Sequence, residues 1–254
     1  SGARYGLFAA LKNGMSDLTN RLVERLTGSG VDLRVDSKVA SLDRLEEEEQ
    51  SYRIELEDGW RGTFDRVILA LPTHHAAALV EPLHRDLATS LRSIEYASSA
   101  IVVSGHNLSD IKDPLNAFGL VVPAVEGRRI LAVSFTSRKF PGRAPDGKVI
   151  LRTFVGGAMQ PEEFKHDDAA MKELVERELC EILGVSGKPD FMIVARYPNS
   201  MPQYHVGHLK LVGRIREQVA TLPHLLLAGN AYDGVGIPDT IASGEKAAES
   251  IFAG

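Results

Sequence analysis

The stretch Leu225–Gly254, LLLAGNAYDGVGIPDTIASGEKAAESIFAG, decides how this chain folds. Leu225, Leu226, Leu227 and Ala228 form the short apolar run of a buried strand. Gly229, Gly234 and Gly236 crowd the loop that follows. Pro238 then opens a helical pattern, at a position where its missing N–H would have had no helical partner anyway. Strand, glycine loop and helix start resemble the entrance to a nucleotide site, yet they stand at the end of the sequence, where few dinucleotide folds begin. The loop DGVGI can aim backbone N–H groups and the positive helix end at an anionic or electron-rich ligand. Glycine at 234 and 236 would let a flat ring approach the backbone. An ordinary strand-to-helix loop with glycines in tight turns accounts for the same residues, so the local pattern leaves both readings open.

Working outward, the remaining chain alternates between helical and strand periods. MSDLTNRLVERLTGSG reads as a helix capped by Asn13 or Ser16, with Leu18, Leu22 and Leu26 on one face. VDLRVDSKVASLDRL alternates as a half-exposed strand, and SYRIELEDGWRGTFDRVILALP reads as two strands about Asp58-Gly59 followed by a denser apolar strand. The acidic run EEEEQ between them reads as a solvated hairpin tip. Thr73 to Ser93 is helical with an interruption at Pro82. Strands follow in SSAIVVSGH, FGLVVPAVEG, RRILAVSFTS and VILRTFVGGA. PEEFKHDDAAMKELVERELCEILG is the longest helical signal, opening near Pro161 and stopping at Gly184, and FMIVARYP is one more strand. The fold class is mixed α/β, with no internal repeat and no Pro/Ser linker.

Composition bounds the function. The chain has 254 residues, 44% hydrophobic, enough for a substantial core in one or two domains. A net charge of −5 gives no overall basic field for nucleic acid. No apolar run reaches the roughly 20 residues that span a bilayer. The sequence opens without the apolar core of a signal peptide and without an initiator methionine, which suggests either a missing part of a parent protein or a tag scar. Its single cysteine, Cys180, excludes an internal disulfide framework and reads as a buried small thiol on a helix.

Catalytic constellations are scarce. There is no G-x-S-x-G elbow, no P-loop and no zinc-type cysteine pair. His205 and His208 in QYHVGH could face a metal only from one helix face; Gly207 and Pro202 favour a loop, so they read as structural and no metal is expected. His74 and His75 precede a helix and read as caps or solvent-facing residues.

AGNAYDGVGIPDTIASGEKAA resembles the C-terminal flavin motif of oxygen-dependent protoporphyrinogen oxidases, especially the bacterial type read as coproporphyrinogen oxidase. The similarity continues through KNGMSDLTNRL, VILALPTHHAAALV, FGLVVPAVEG, SFTSRKFPGRAP, TFVGGA and YPNSMPQYHVGH, in that order. A motif such as ALPTHHA alone would suggest only the wider flavin amine oxidase superfamily. The departure is the G-x-G-x-x-G turn that opens such enzymes: no such fingerprint occurs here, and GSGVDL at Gly28 has the wrong spacing. The chain thus resembles about the C-terminal half, and the resemblance implies that the terminal loop is a second, flavin-side contact.

The resemblance implies a partial two-domain fold of the p-hydroxybenzoate-hydroxylase and amine-oxidase type, lacking the N-terminal dinucleotide-binding segment. Residues 1–72 and 208–254 would belong to the FAD domain and 73–207 to the substrate domain. It implies that Val39 contacts the adenosine part of FAD, that Tyr197 stands near the flavin, and that Val235, Gly236 and Ile237 meet the isoalloxazine. Phe118, Val121 and Phe154 would line a porphyrinogen cavity, though each also reads as a core residue on a strand. The implied reaction is porphyrinogen oxidation in haem biosynthesis, with O2 as acceptor and H2O2 released. It needs few protein acids or bases, since the cofactor carries the redox chemistry. Arg128, Arg129, Arg138 and Arg143 could pair substrate carboxylates or stand as solvated charges. The expected setting is the cytoplasm, with room for peripheral membrane contact and for a homo-oligomer. Two other readings stay open. One is an amine oxidase or carotenoid desaturase relative, although the aromatic cage and flavin-linking cysteine of an amine oxidase are not apparent. The other is a folded fragment without activity of its own.

Overall fold

A computed structural model describes residues 10–45 and 51–252. The run EEEEQ at 46–50 lies outside the described residues. In chain order the elements begin with α1 (Ser16–Gly28), β1 (Val39–Leu45), β2 (Ser51–Leu56), β3 (Arg61–Phe64) and β4 (Val67–Leu69). Next come α2 (Thr73–Val80), α3 (Arg85–Arg92), β5 (Tyr96–Asn107), β6 (Gly119–Val121), β7 (Ala132–Phe135) and α4 (Thr136–Lys139). The last are β8 (Lys148–Gly156), α5 (Asp168–Leu183), β9 (Phe191–Pro202), α6 (His208–Val219), β10 (Leu225–Leu227) and α7 (Ile237–Phe252).

These elements divide into two compact units. One holds the segment ending at Leu33 together with Ser98–Asn199; the other holds Arg34–Ala97 and the segment from Ser200. These compact units part at positions other than 72 and 207. The reason is packing: Ala76, Ala77 and Val80 of α2 and Leu87, Ala88 and Leu91 of α3 share one core with Leu42, Tyr52, Val67, Ile215 and Leu225. Residues 73–97 cannot be separated from the strands that precede them.

The second unit contains the antiparallel sheet β1-β2-β3 and the parallel pair β10-β4. Leu225, Leu226 and Leu227 pair in register with Val67, Ile68 and Leu69. An unbroken apolar run suits such a strand, because parallel strands are covered on both faces. Tyr52 is buried, and its hydroxyl donates to the Pro223 carbonyl at 2.8 Å, fixing β2 to the approach of β10. The break at Pro82 falls where the sequence places it, and α3 restarts with His84 Nδ1 accepting the Leu87 N–H.

The first unit is the five-stranded sheet β6-β7-β8-β5-β9 with α5 on one face. Along β8, Val149, Leu151, Thr153 and Val155 are buried while Lys148, Ile150, Arg152 and Phe154 are half-exposed, the period of two that a sheet covered on one face requires. Asp167 caps α5 by accepting the Ala170 N–H at 2.8 Å, and Gly184 ends it at φ +66°, where a non-glycine residue is strained. The residues from Pro161 to Lys165 form a separate 3₁₀ turn, so the α-helix opens later than the sequence pattern suggests.

Four other local expectations change. The strand expected from Val31 begins only at Val39: Val31, Leu33 and Val35 are exposed, and Asp36 takes φ +53°, breaking the extended run. Neither Asn13 nor Ser16 caps α1; Met15 holds the cap position without a side-chain bond, while Asn13 donates to Asp17. His74 and His75 lie inside the first turn of α2 and not before it, with His75 facing solvent as one of the two readings had it, and the Thr73 N–H donates to the Tyr96 hydroxyl at 3.0 Å. Cys180 is exposed, not buried. The inward stripe of α5 is Met171, Leu174, Val175, Glu178, Leu179 and Leu183, and Cys180 falls one position past it.

Candidate functional site

Within the second unit the chain leaves β10 and turns through the glycine loop into α7. Ala231 and Tyr232 anchor the loop in the core. The Arg216 guanidinium binds Asp233 at 2.6 Å. The Gly229 N–H donates to the Ser243 hydroxyl, and the Thr240 N–H donates to the Gly236 carbonyl at 2.9 Å, which starts the helix. Val235 and Ile237 are left with more than half their surface exposed, two apolar side chains flanking a helix start. A flat apolar ring could lie on them.

Tyr204 braces this loop. Its hydroxyl donates to the Asn230 carbonyl at 2.6 Å, and its oxygen also lies against the Gly234 backbone N–H. Burial raises its pKa, with the Gly234 N–H opposing. The ring stacks on His208 with centroids 3.9 Å apart and an interplanar angle of 13°. QYHVGH is thus a structural clasp. His208 is buried under Tyr204, and His205 pairs with Glu95 at 3.0 Å, an acidic partner remote in sequence. Among the described residues no group of three or more His, Cys, Asp or Glu could hold a metal.

Gly236 has no positive φ, so no backbone conformation reserved for glycine is needed there. A side chain at Gly234 or Gly236 would instead meet the Asp239 carboxylate, 2.6 and 2.8 Å from the ideal Cβ positions. Asp239 places a negative charge on the first turn of α7, where the helix dipole favours it.

Of the other expected cofactor residues, Val39 opens β1 in this same unit, half-buried and paired with Leu56. Tyr197 lies in the first unit on β9, 44% exposed. Phe118, Val121 and Phe154 also belong to the first unit. Sheet register brings two of them together: Val121, Ala132, Phe154 and Ile101 are successive cross-strand partners on the face opposite α5. Phe118 stands just before β6 and is half-exposed.

The arginines sort themselves. Arg128 pairs with Glu181 and lies 3.6 Å from Glu178. Arg129 grips Glu163 at 2.7 Å and reaches His166, and its hydrogen bonds hold the Glu163 carboxyl below the ordinary range. Arg143 donates to the Leu11 carbonyl. Arg128 and Arg129 are engaged with the protein's own carboxylates, so neither is a ready partner for a substrate. The arginine that stands on the open sheet face is Arg152, which the sequence reading passed over.

Residues 1–252 match the family of flavin containing amine oxidoreductases, and the chain belongs to that family. Within it, the chain is 30% identical to a coproporphyrinogen III oxidase of Staphylococcus aureus over 99% of its own length and 53% of the relative's. It is 31% identical to a coproporphyrinogen III oxidase of Propionibacterium freudenreichii, over 96% of this chain and 45% of that one. A crystal structure from Exiguobacterium sp. 255-15, whose name assigns it provisionally to the protoporphyrinogen oxidases, superposes with a TM-score of 0.85 at 30% identity. That superposition covers 97% of this chain and 52% of the other. The chain therefore spans about half the length of the relatives it matches, and it has the mixed α/β fold of part of a flavin-linked enzyme.

Proposed function

We propose that the whole protein containing this chain is an FAD-dependent porphyrinogen oxidase, with O2 as acceptor and H2O2 as second product. Coproporphyrinogen III is its preferred substrate over protoporphyrinogen IX. The observation that carries this reading is the similarity to coproporphyrinogen III oxidases along 99% of the chain at 30% identity. We assign the second unit to the FAD domain and the first to the substrate domain.

Val235 and Ile237, with the backbone at Gly236, form the edge on which the isoalloxazine rests; Val39 serves the adenosine side and Tyr197 stands near the ring. The exposed apolar pair at a braced helix start fits a flat ring with an electron-rich edge. No residue of this chain supplies a G-x-G-x-x-G turn for the pyrophosphate, so that grip belongs to sequence outside it. Bound FAD supplies the hydride acceptor and, with O2, the route by which electrons leave as H2O2. The protein's share is orientation and exclusion of water. Phe154 and Val121, with Phe118 beside them, offer an apolar wall against which the saturated meso carbon of the substrate is held while a pyrrole N–H gives up its proton. Among the described residues no helix is long and apolar enough to cross a membrane. Peripheral membrane contact and homo-oligomerisation remain part of the proposal.

The test follows porphyrin fluorescence and O2 consumption by the whole protein on the two porphyrinogens in matched detergent. Faster growth on coproporphyrinogen is expected. A clear preference for protoporphyrinogen overturns the substrate assignment, and no turnover of either overturns the reaction.

A further inference from the structure

The open face of the five-stranded sheet is apolar with one interior cation. Its register places Val121, Ala132, Phe154 and Ile101 in one row and Gly119, Ser134, Arg152 and Val103 in the next. On β9 the exposed residues Phe191, Ile193 and Tyr197 alternate, and Phe191 lies over Gly105 of β5. Lys148, the other basic residue of β8 with this orientation, stands at the strand end and binds Asp190 at 2.8 Å. Arg152 is therefore the single charge within the rows. Its guanidinium lies 5.6 Å from the Phe154 ring centroid, and it makes no ion pair among the described residues. A guanidinium without an ion pair among the described residues, set in otherwise uncharged rows, matches a ligand with a wide hydrophobic body and an anionic edge. Its fork binds carboxylates in two-pronged fashion, and desolvating such a carboxylate without a partner is costly.

We infer that Arg152 is a specificity-determining residue that binds a propionate carboxylate of the tetrapyrrole while Phe154 and Val121 take the ring. This rests on the porphyrinogen reading above, and it reverses the choice of arginines made from the sequence. The contact is ionic, so it acts on binding and not on hydride transfer. Arg152→Met keeps much of the stem's apolar volume and removes the charge; Arg152→Lys keeps the charge without the fork.

In the whole protein, Arg152→Met is expected to raise KM for coproporphyrinogen III about tenfold or more, with kcat nearly unchanged, the loss anticipated for one charge-assisted hydrogen-bonded contact. Coproporphyrin III binding, read by porphyrin fluorescence, should weaken by the same factor. Arg152→Lys should recover part of both. Binding of the tetramethyl ester, which has no carboxylates, should be insensitive to either change. Equal losses for acid and ester would reveal a packing role and overturn the inference. So would an Arg152→Met variant with wild-type KM and wild-type coproporphyrin affinity, and in that case the porphyrinogen reading would stand. A wild-type protein that neither turns over nor binds any of these tetrapyrroles overturns that reading and the inference with it.

Discussion

Tyr204→Phe removes one oxygen and leaves the ring in place, so it isolates the bond that braces the glycine loop. The lost contact is the 2.6 Å hydrogen bond to the Asn230 carbonyl, with the weaker approach of the Gly234 N–H to the same oxygen. A typical intramolecular hydrogen bond contributes about 0.5–1.5 kcal/mol net. Tyr204 is 42% exposed, so water can satisfy the freed carbonyl, and the value belongs in the middle of that range, about 1 kcal/mol. The stack on His208 survives the change, so ring packing adds nothing to the difference. For a chain of this size, about 1 kcal/mol corresponds to a fall in Tm of roughly 2–4 °C. Urea denaturation of the chain and of the variant gives the global number. Amide hydrogen exchange across Asn230–Gly236 gives the local one, and these amides should lose more protection than those of β5 or β8. A variant within about 0.3 kcal/mol of wild type, with unchanged exchange in the loop, would refute the bracing role.

Three further outcomes can be checked on the same chain. Asp167→Ala should cost about 1 kcal/mol by leaving the Ala170 N–H of α5 without its cap, measured by urea denaturation, while Asp167→Asn should cost less. Glu163→Gln tests the sign of a charge effect. Hydrogen bonding to Arg129 holds the Glu163 pKa below 4.5, so its stabilisation is present above that pH and is lost as pH falls through the lower, folded value. The wild-type advantage over the glutamine variant should therefore be full near neutrality and shrink on acidification below 4.5, and an advantage that grows with acid would contradict the pairing. Finally, titration of the chain with FAD, followed by flavin fluorescence or calorimetry, should show weak or no binding, because the pyrophosphate-binding turn is absent. Stoichiometric binding at low micromolar concentration is the contrary result.

Periodicity made much of the fold legible. The alternation in SSAIVVSGH and VILRTFVGGA marked β5 and β8, and the apolar run Leu225–Leu227 marked a strand, whose parallel partner Val67–Leu69 only the structure shows. Each of these signals is local, since burial on one face writes itself into neighbouring residues. The bracing of the loop could not be read this way. Tyr204 meets Asn230 across 26 positions, and a phenol's hydrogen bond leaves no repeat in sequence. The arginines show the same limit. Arg128 and Arg129 could be read from sequence as substrate partners or as solvated charges, yet Glu181 and Glu163 arrive from α5 and the turn before it. Arg152 carries no sequence signal of its own, because an outward position on a half-covered strand is where solvated charges sit. Only the pairing of β8 with β5 and β7 shows that Val103 and Ser134 flank it on that face, beside Phe154 of its own strand.

The first helix carries a consequence for anyone handling the chain in solution. None of its residues is buried, and Leu18, Leu22 and Val23 are 38%, 54% and 52% exposed, with Met15 just before it at 46%. An amphipathic helix that keeps its oily stripe in water will exchange that stripe for any comparable surface, including its own copy. Dilution then becomes a variable as real as temperature: the melting point of the isolated chain should climb with protein concentration, and a trace of non-ionic detergent should flatten the dependence.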